Sequence, residues 1–417
     1  MKVDQLTLRS FRNITECSFN PDPHLNFLIG ANGQGKTSIL EALGLFATLR
    51  SFKGSKTTEL IRWGSNQSDL VCKLSSADQE TGTWETQLKL HFEITDPLTR
   101  HKASKTAFIN DKMYKSSTHY LSQRFGNFEM GFHAVIFNPS DHDLIRGEPT
   151  LRRSFLDRVL AAEDIGYLKS YQKYQKVVEQ RNAVLKQLPP QKDLLMGFSE
   201  PMGRLAAELA LKRMQWLQKL NERLNDIAHQ IAPQQPDLRI VYCSNWVPEI
   251  ESLSICNNNL GSVHFTGQGS LPSLELLEQE FWKKVSNLEA AEWRSGHSMV
   301  GPHRDDWAFY LGGQPLKGHG SQGEVRSALL ALKLCEIELF RRQTGHRPLF
   351  LLDDFSSELD RERRNFLLRF LTETDLQVFV TTTEDFSSLG KRYRVSDGNL
   401  REEGHDYSRR AENDRGR

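Results

Sequence analysis

The stretch GANGQGKT, made of Gly30, Ala31, Asn32, Gly33, Gln34, Gly35, Lys36 and Thr37, has the spacing G-x-x-x-x-G-K-[ST]. In that pattern glycines let consecutive backbone N–H groups turn inward on phosphate oxygens. The lysine reaches the β- and γ-phosphates, and the Ser or Thr hydroxyl ligates Mg²⁺. The flanks fit: the apolar NFLIG reads as a strand entering the loop, and SILEALGLFATL reads as a helix whose N-terminal dipole faces the phosphates. A glycine-rich turn can be plain punctuation between strand and helix, but the full pattern with these flanks favours binding of a nucleoside triphosphate with Mg²⁺.

A nucleotide needs a second set of groups, and RPLFLLDDFSSELD supplies candidates. Leu349 to Leu352 reads as a buried parallel strand ending in Asp353 and Asp354. This resembles a Walker B element, in which Asp353 would hold Mg²⁺ through its water shell and Asp354 would orient or polarise the attacking water. Asp353 lies 317 positions beyond Lys36, whereas small-molecule kinases and simple GTPases keep these elements close. A split site with a helical insertion is similar to the SMC-like branch of ABC ATPases. HGSQGEVRSALLALKLCEIELF resembles the signature of that branch, with Ser321, Gln322 and Gly323 opening a long helix. In that class the signature of one subunit contacts the γ-phosphate held by the other, so that two molecules enclose two ATPs. Ser321 and Glu324 also form the S-x-x-E of a capping box, and both readings can hold at one helix N-terminus.

The elements that must position these residues follow from periodicity. VDQLTL and LNFLIG read as strands around the turn-rich NPDP, and the helix after the loop should end by about Ser51. WETQLKLHFEI alternates strictly, with Trp84, Thr86, Leu88, Leu90, Phe92 and Ile94 on one face, as a half-buried antiparallel strand does. AFINDKMY predicts a hairpin with Asn110 and Asp111 in its turn. From about Thr150 to Leu188 and again from about Leu194 to Ile231 the chain favours helix. Two helices of ~35 residues make an antiparallel hairpin about 50 Å long, as scaffold or as an arm touching a partner. Residues 233–270 read as loop-rich, and LPSLELLEQEFWKKVSNLEAAEWR returns to helix.

The fold expected is therefore α/β: an ABC-type P-loop ATPase head with a mixed sheet and a β-rich lobe, and a helical-hairpin arm inserted between its halves. The expected divisions are 1–149, 150–296, 297–400 and a polar tail at 401–417. With 417 residues, two or three domains fit. No run of about 18 apolar residues and no signal-peptide core is present, which predicts a cytoplasmic protein with no membrane partner. The five cysteines, Cys17, Cys72, Cys243, Cys256 and Cys335, lack C-x-x-C spacing, which argues against zinc. Lys and Arg number 54 against 53 Asp and Glu, so whole-chain charge gives no support to nucleic-acid binding.

FRN at 11–13, GANGQGKTSILEAL, RSFKGSK, FNPSDHDLIRGEPTLRRSFLD, YLKSYQKYQKVVEQRN, GPHRDD, SQGEVR and LLDDFSSELD resemble, in this order and over about residues 1–400, the RecF family of recombination mediators. The resemblance implies an ATP-dependent homodimer that binds DNA, single- or double-stranded and gapped, when ATP is bound. It also implies weak ATP hydrolysis, and action with RecR and RecO to load RecA. Three positions depart from the family pattern. Glu324 stands where the family usually has Gln, Asp354 replaces the Glu of fast ABC motors, which suits a slow switch, and Thr383 stands where motor-type relatives carry His.

For DNA contact the sequence offers a modest strip. Lys169, Lys173 and Lys176 fall on one helix face, and residues 166–186 carry five Lys or Arg against one acid, Glu179. Phosphate contact needs such a strip, although a charged strip is commonly just a solvated face. Tyr167, Tyr171 and Tyr174 on the same helix are expected to pack rather than stack on bases.

Overall fold

The strands that carry the two halves of the candidate site, far apart in the chain, lie in one sheet. The computed structural model describes residues 2–78, 82–96, 99–123, 132–187, 191–248, 263–265, 269–354, 360–384 and 389–403. By compactness the chain divides into two units, Met1–Pro139 with His346–Arg417, and Ser140–Gly345.

In the first unit a six-stranded sheet has the order Asn399–Glu403, Lys391–Ser396, Leu25–Ile29, Val378–Thr382, Leu349–Leu352, Ala134–Phe137. The last five run parallel, and Asn399–Glu403 pairs antiparallel at the edge. LNFLI, VFVTT, LFLL and AVIF are buried at every position, the pattern of parallel strands covered on both faces. A second, antiparallel sheet orders Ile14–Phe19, Lys2–Phe11, Gln67–Asp78, Gly82–Ile94, Ala103–Ile109 and Lys112–Tyr114. Thr86, Leu88, Leu90, Phe92 and Ile94 are buried while Glu85 and Glu93 are exposed, as the alternation predicts. The two-residue turn Asn110–Asp111 has φ of 47° and 65°, so both residues occupy the left-handed region that a tight hairpin turn demands and that Asn and Asp tolerate.

The helix Lys36–Thr48 packs with both sheets, its Leu40, Leu43 and Phe46 sharing a core with Leu6, Leu8, Leu70 and Leu90 and with Leu28, Leu351 and Phe379. It is buried continuously from Ser38 to Phe46, which explains why its sequence is apolar nearly all round rather than striped.

The second unit contains the expected helical hairpin, Ile165–Leu185 against Lys192–Ile231, with its first arm divided. The first helical stretch is two helices, Pro149–Glu163 and Ile165–Leu185, broken at Asp164. Asp164 is extended (φ −134°, ψ 108°), and its carboxylate accepts from the N–H groups of Gly166 and Tyr167, so a strong N-cap restarts the helix. The returning helix, Lys192–Ile231, runs 40 residues, about 60 Å. Residues 233–270, expected to be loop, contain the strand Leu238–Ser244, which pairs with Asp306–Leu311 and Val263–Phe265 in a four-stranded sheet. Leu274–Ser295 is helical as expected. Cys256 lies outside the described residues; Cys17, Cys72, Cys243 and Cys335 are unbridged.

RRSFLD and GPHRDD meet in this unit. Arg152 forms a two-pronged ion pair with Asp306 (2.7 and 2.8 Å), and Arg153 donates to the Asp305 carbonyl. Asp157 pairs with Arg213 at 2.6 Å, and Arg213 also donates to the Pro302 carbonyl. Asp305 accepts from the Tyr242 hydroxyl, the Ser244 hydroxyl and the Trp246 indole. Burial still pushes its carboxyl up to about 6, against the pull of these bonds and of Arg213. Charges so deep in a fold are tolerated only when each has its partners, and here they do. These two stretches, the most particular in the sequence, hold the helical unit together.

Candidate nucleotide-binding site

The loop Gly30 to Gly35 leaves the carboxyl end of Leu25–Ile29 and enters the helix Lys36–Thr48. Gly35, at φ 108°, occupies a backbone region that side chains rarely adopt, and a Cβ at Gly30 would collide with the Val395 carbonyl oxygen. The loop is clasped from two sides. The Asn13 side chain donates to the Gly33 carbonyl at 3.2 Å and accepts from the Ser38 hydroxyl, while the N–H groups of Asp397 and Gly398 bond to the side chain and carbonyl of Gln34. Lys36 is 8% exposed, its ammonium donating to the carbonyls of Gly30 (2.7 Å) and Ala31 (2.9 Å). Burial lowers its pKa, and the charges of Asp354 and Asp353 oppose that.

Asp353 and Asp354 stand at the carboxyl end of Leu349–Leu352. The strand Val378–Thr382 separates this from the strand that leads into the loop. The intervening strand supplies a residue that the sequence reading missed. Thr381 donates its hydroxyl to Asp353 at 2.7 Å and accepts from the Asp354 N–H at 2.8 Å, fixing both acids. Thr37 donates to the same Asp353 oxygen at 2.8 Å. Burial raises the Asp353 carboxyl above its ordinary range, while the Thr381 and Thr37 hydroxyls and the charge of Lys53 pull it back. Thr37 and Asp353 thus present adjacent hard oxygen donors, the kind Mg²⁺ takes, beside the loop's ammonium. Asp354 has φ 51°, a left-handed conformation that turns the chain sharply after the strand. Thr383, whose role the sequence left open, is exposed.

Thr381→Val keeps the shape and removes the hydroxyl. If Asp353 holds Mg²⁺, ATP turnover should fall roughly 10- to 100-fold, the usual cost of losing a group that orients a metal ligand. Thr383→Val should stay within about twofold. Steady-state phosphate release against Mg²⁺ concentration reads both, and equal effects would remove Thr381 from the site.

Ser321, Gln322 and Gly323 belong to the other compact unit, at the start of the helix Gln322–Thr344. Both arms of the capping box form: Ser321 Oγ accepts from the Glu324 N–H (3.3 Å), and the Glu324 carboxylate accepts from the Ser321 N–H (2.7 Å). The acid that departs from the family pattern is thereby folded back onto its own helix. Ser321 and Gln322 are exposed. Lys169, Lys173 and Lys176 are exposed on Ile165–Leu185, whereas Tyr167 and Tyr174 are buried and Tyr167 stacks on Tyr171 at 6.2 Å.

A parallel sheet that gathers a phosphate-binding loop and two acids at its carboxyl ends, and that is interrupted by a long helical insertion, defines an SMC-like P-loop ATPase head of the ABC type. The chain belongs to the RecF family: the model of the RecF/RecN/SMC N-terminal domain matches residues 2–395. DNA replication and repair protein RecF of Geotalea daltonii is 32% identical over 407 residues, 96% of this chain and 100% of that protein. A solved structure of the recombination mediator protein RecF-ATP in the RecFOR pathway superposes with a TM-score of 0.80 at 25% identity, over 97% of this chain and 98% of that one. The Smc head domain of Pyrococcus furiosus, at 13% identity and a TM-score of 0.54, shares the fold. Among the described residues no helix is long and apolar enough to cross a membrane.

Proposed function

We propose that this chain is an ATP-operated, DNA-binding switch of recombinational repair. The observation that carries the reading is the convergence of Thr37, Asp353 and Thr381 beside Lys36, at the carboxyl ends of strands drawn from opposite ends of the chain. Gly30 to Gly35 would cradle the phosphates with backbone N–H groups, Lys36 would reach the terminal phosphates, and Thr37 with Asp353 would hold Mg²⁺, which supplies charge neutralisation there. Asp354 would orient the attacking water; one methylene shorter than Glu, it suits slow turnover. Ser321, Gln322 and Gly323 of a second copy would complete the γ-phosphate shell, so that ATP builds a homodimer and hydrolysis dissolves it.

On this reading residues 1–149 and 297–400 serve ATP, residues 150–296 form the arm, and residues 401–417 are a tail. The dimer holds DNA, with Lys169, Lys173 and Lys176 as candidate phosphate contacts, and cooperates in the cytoplasm with RecR and RecO to load RecA. The name of the relatives and the pathway of the solved RecF structure support this assignment.

The test is a gel shift on gapped duplex DNA. The chain should retard it with ATP and not with ADP. Asp354→Asn keeps size and hydrogen bonding but loses the charge, so turnover should fall roughly 100-fold or more while the ATP-dependent shift persists longer. A shift independent of nucleotide would sink the switch, and undiminished turnover would place the catalytic acid elsewhere.

A further inference from the structure

Trp63 is 85% exposed, the most exposed large hydrophobic residue of the described chain. It does not sit on a loose loop. The Arg62 N–H donates to the Ser10 carbonyl (2.8 Å), the Ser65 N–H donates to the Arg62 carbonyl (3.0 Å), and the Arg12 N–H donates to the Leu60 carbonyl (2.9 Å). These bonds pin the turn to the end of the antiparallel sheet, and Gly64, at φ 87°, lets it bend. The Arg100 guanidinium stands over the indole, 5.6 Å from the ring centroid, and leaves the ring open to solvent. Arg100 is itself held by the Ser65 carbonyl (2.9 Å) and the Asn66 side-chain oxygen (3.3 Å), both neutral acceptors.

We propose that Trp63 is a stacking platform for an unpaired base of single-stranded DNA, with the flanking phosphates met by Arg62, Arg100 and Lys102. The inference rests on the DNA-binding reading above and adds to it the form of DNA. Lys102 is exposed at the same sheet end, since the Thr95 N–H bonds to its carbonyl and the Ile94 N–H to that of Asn66. Glu93 and Asp96 lie there too, and Asp96 is engaged by the Thr99 hydroxyl. The segment leading to Trp63 extends the positive field: Arg50, Lys53 and Lys56 are exposed, with Glu59 the acid among them. Arg12 ties this segment down through Ser55 and the Glu59 carbonyl, and the charge of Lys53 reaches Asp353. A basic track with a fixed aromatic face is how proteins hold single strands without reading sequence. A protein partner would need apolar surface around the indole to bury, and the turn offers Gly64, Ser65 and Asn66 instead.

The experiment measures fluorescence anisotropy with ATP and Mg²⁺ on three labelled DNAs: an oligothymidine single strand, a gapped duplex and a blunt duplex. Trp63→Ala should weaken single-strand and gapped binding roughly 5- to 150-fold and spare the blunt duplex, because stacking needs an unpaired base. Trp63→Phe should recover most of the loss. Arg62→Gln and Lys102→Gln should each lower the salt slope on single strands by about 0.7, while Trp63→Ala leaves it unchanged. Equal loss on all three DNAs, or no loss on any, overturns the platform, the latter leaving Trp63 for a protein partner. If the wild type needs ATP to bind and Trp63→Ala changes nothing, this inference fails alone. If the wild type binds no DNA with ATP, both readings fail.

Discussion

Lys36→Ala should lower ATP affinity roughly 10- to 150-fold, the worth of one charge-assisted contact to a phosphate, and pairing and DNA binding should fall with it. The ammonium bonds to two carbonyl oxygens and feels the charges of two acids, and the loop carries no second cation to take its place. Its removal also leaves the Gly30 and Ala31 carbonyls without that donor, so thermal unfolding must be checked beside binding. Lys36→Arg separates charge from shape: a planar fork does not fit a position built for a compact ammonium, and affinity should remain low. Isothermal titration with ATP and the gel shift read the two effects. ATP-dependent DNA binding that survives Lys36→Ala intact would break the link between nucleotide and DNA.

If Ser321 meets the partner's γ-phosphate as proposed, Ser321→Arg should leave ATP binding by monomers near normal and abolish their pairing, because a bulky cation would fill the gap between them. The capping box makes a competing forecast. If Ser321 only starts its helix, the change costs about 0.5–2 kcal/mol of stability and dimers still form in the cold. Ser321→Asp decides between them, since Asp caps a helix as well as Ser does but places a negative charge against the phosphate. Sedimentation with ATP should show Ser321→Asp folded and monomeric; an ATP-induced dimer of normal affinity would rule out action across the interface. Mixing Ser321→Arg with Lys36→Ala gives heterodimers with one site carrying both lesions and one carrying neither. Partial return of turnover on mixing is what a shared site requires.

Much of this was legible because the signals were local. The loop GANGQGKT, the alternation from Thr86 to Ile94 and the Asn110–Asp111 turn each declare their geometry within a dozen residues. The break at Asp164 was local too: Asp is a strong N-cap residue and the Gly166 that follows is a poor helix former, both hidden among strong helix formers. What escaped was non-local. LRIVYCS becomes a strand only because Asp306–Leu311, more than sixty residues on, lies beside it. In VFVTTTED three threonines follow one another, and the side chain that reaches the acid is chosen by the pairing of Leu352 with Val380, which sets Thr381 beside Asp353. Register, once the strand order is known, points to that threonine; composition does not.

The strand order also governs how the molecule can be made. Leu25–Ile29, buried at every position in the finished sheet, waits for neighbours that end near residue 396. At roughly 5–20 residues per second, about 20–70 seconds pass between the synthesis of that strand and of its last parallel partner. The helical unit, an unbroken stretch of chain, leaves the ribosome entirely within that interval. Until residue 349 is reached the amino-terminal apolar strand has no parallel partner beyond Ala134–Phe137, which in the finished sheet is not even its neighbour, and its own two neighbours come only after residue 377. A message that stalls before residue 378 therefore leaves behind a chain whose nucleotide loop is long since translated while the strand that leads into it still lacks both of its parallel neighbours.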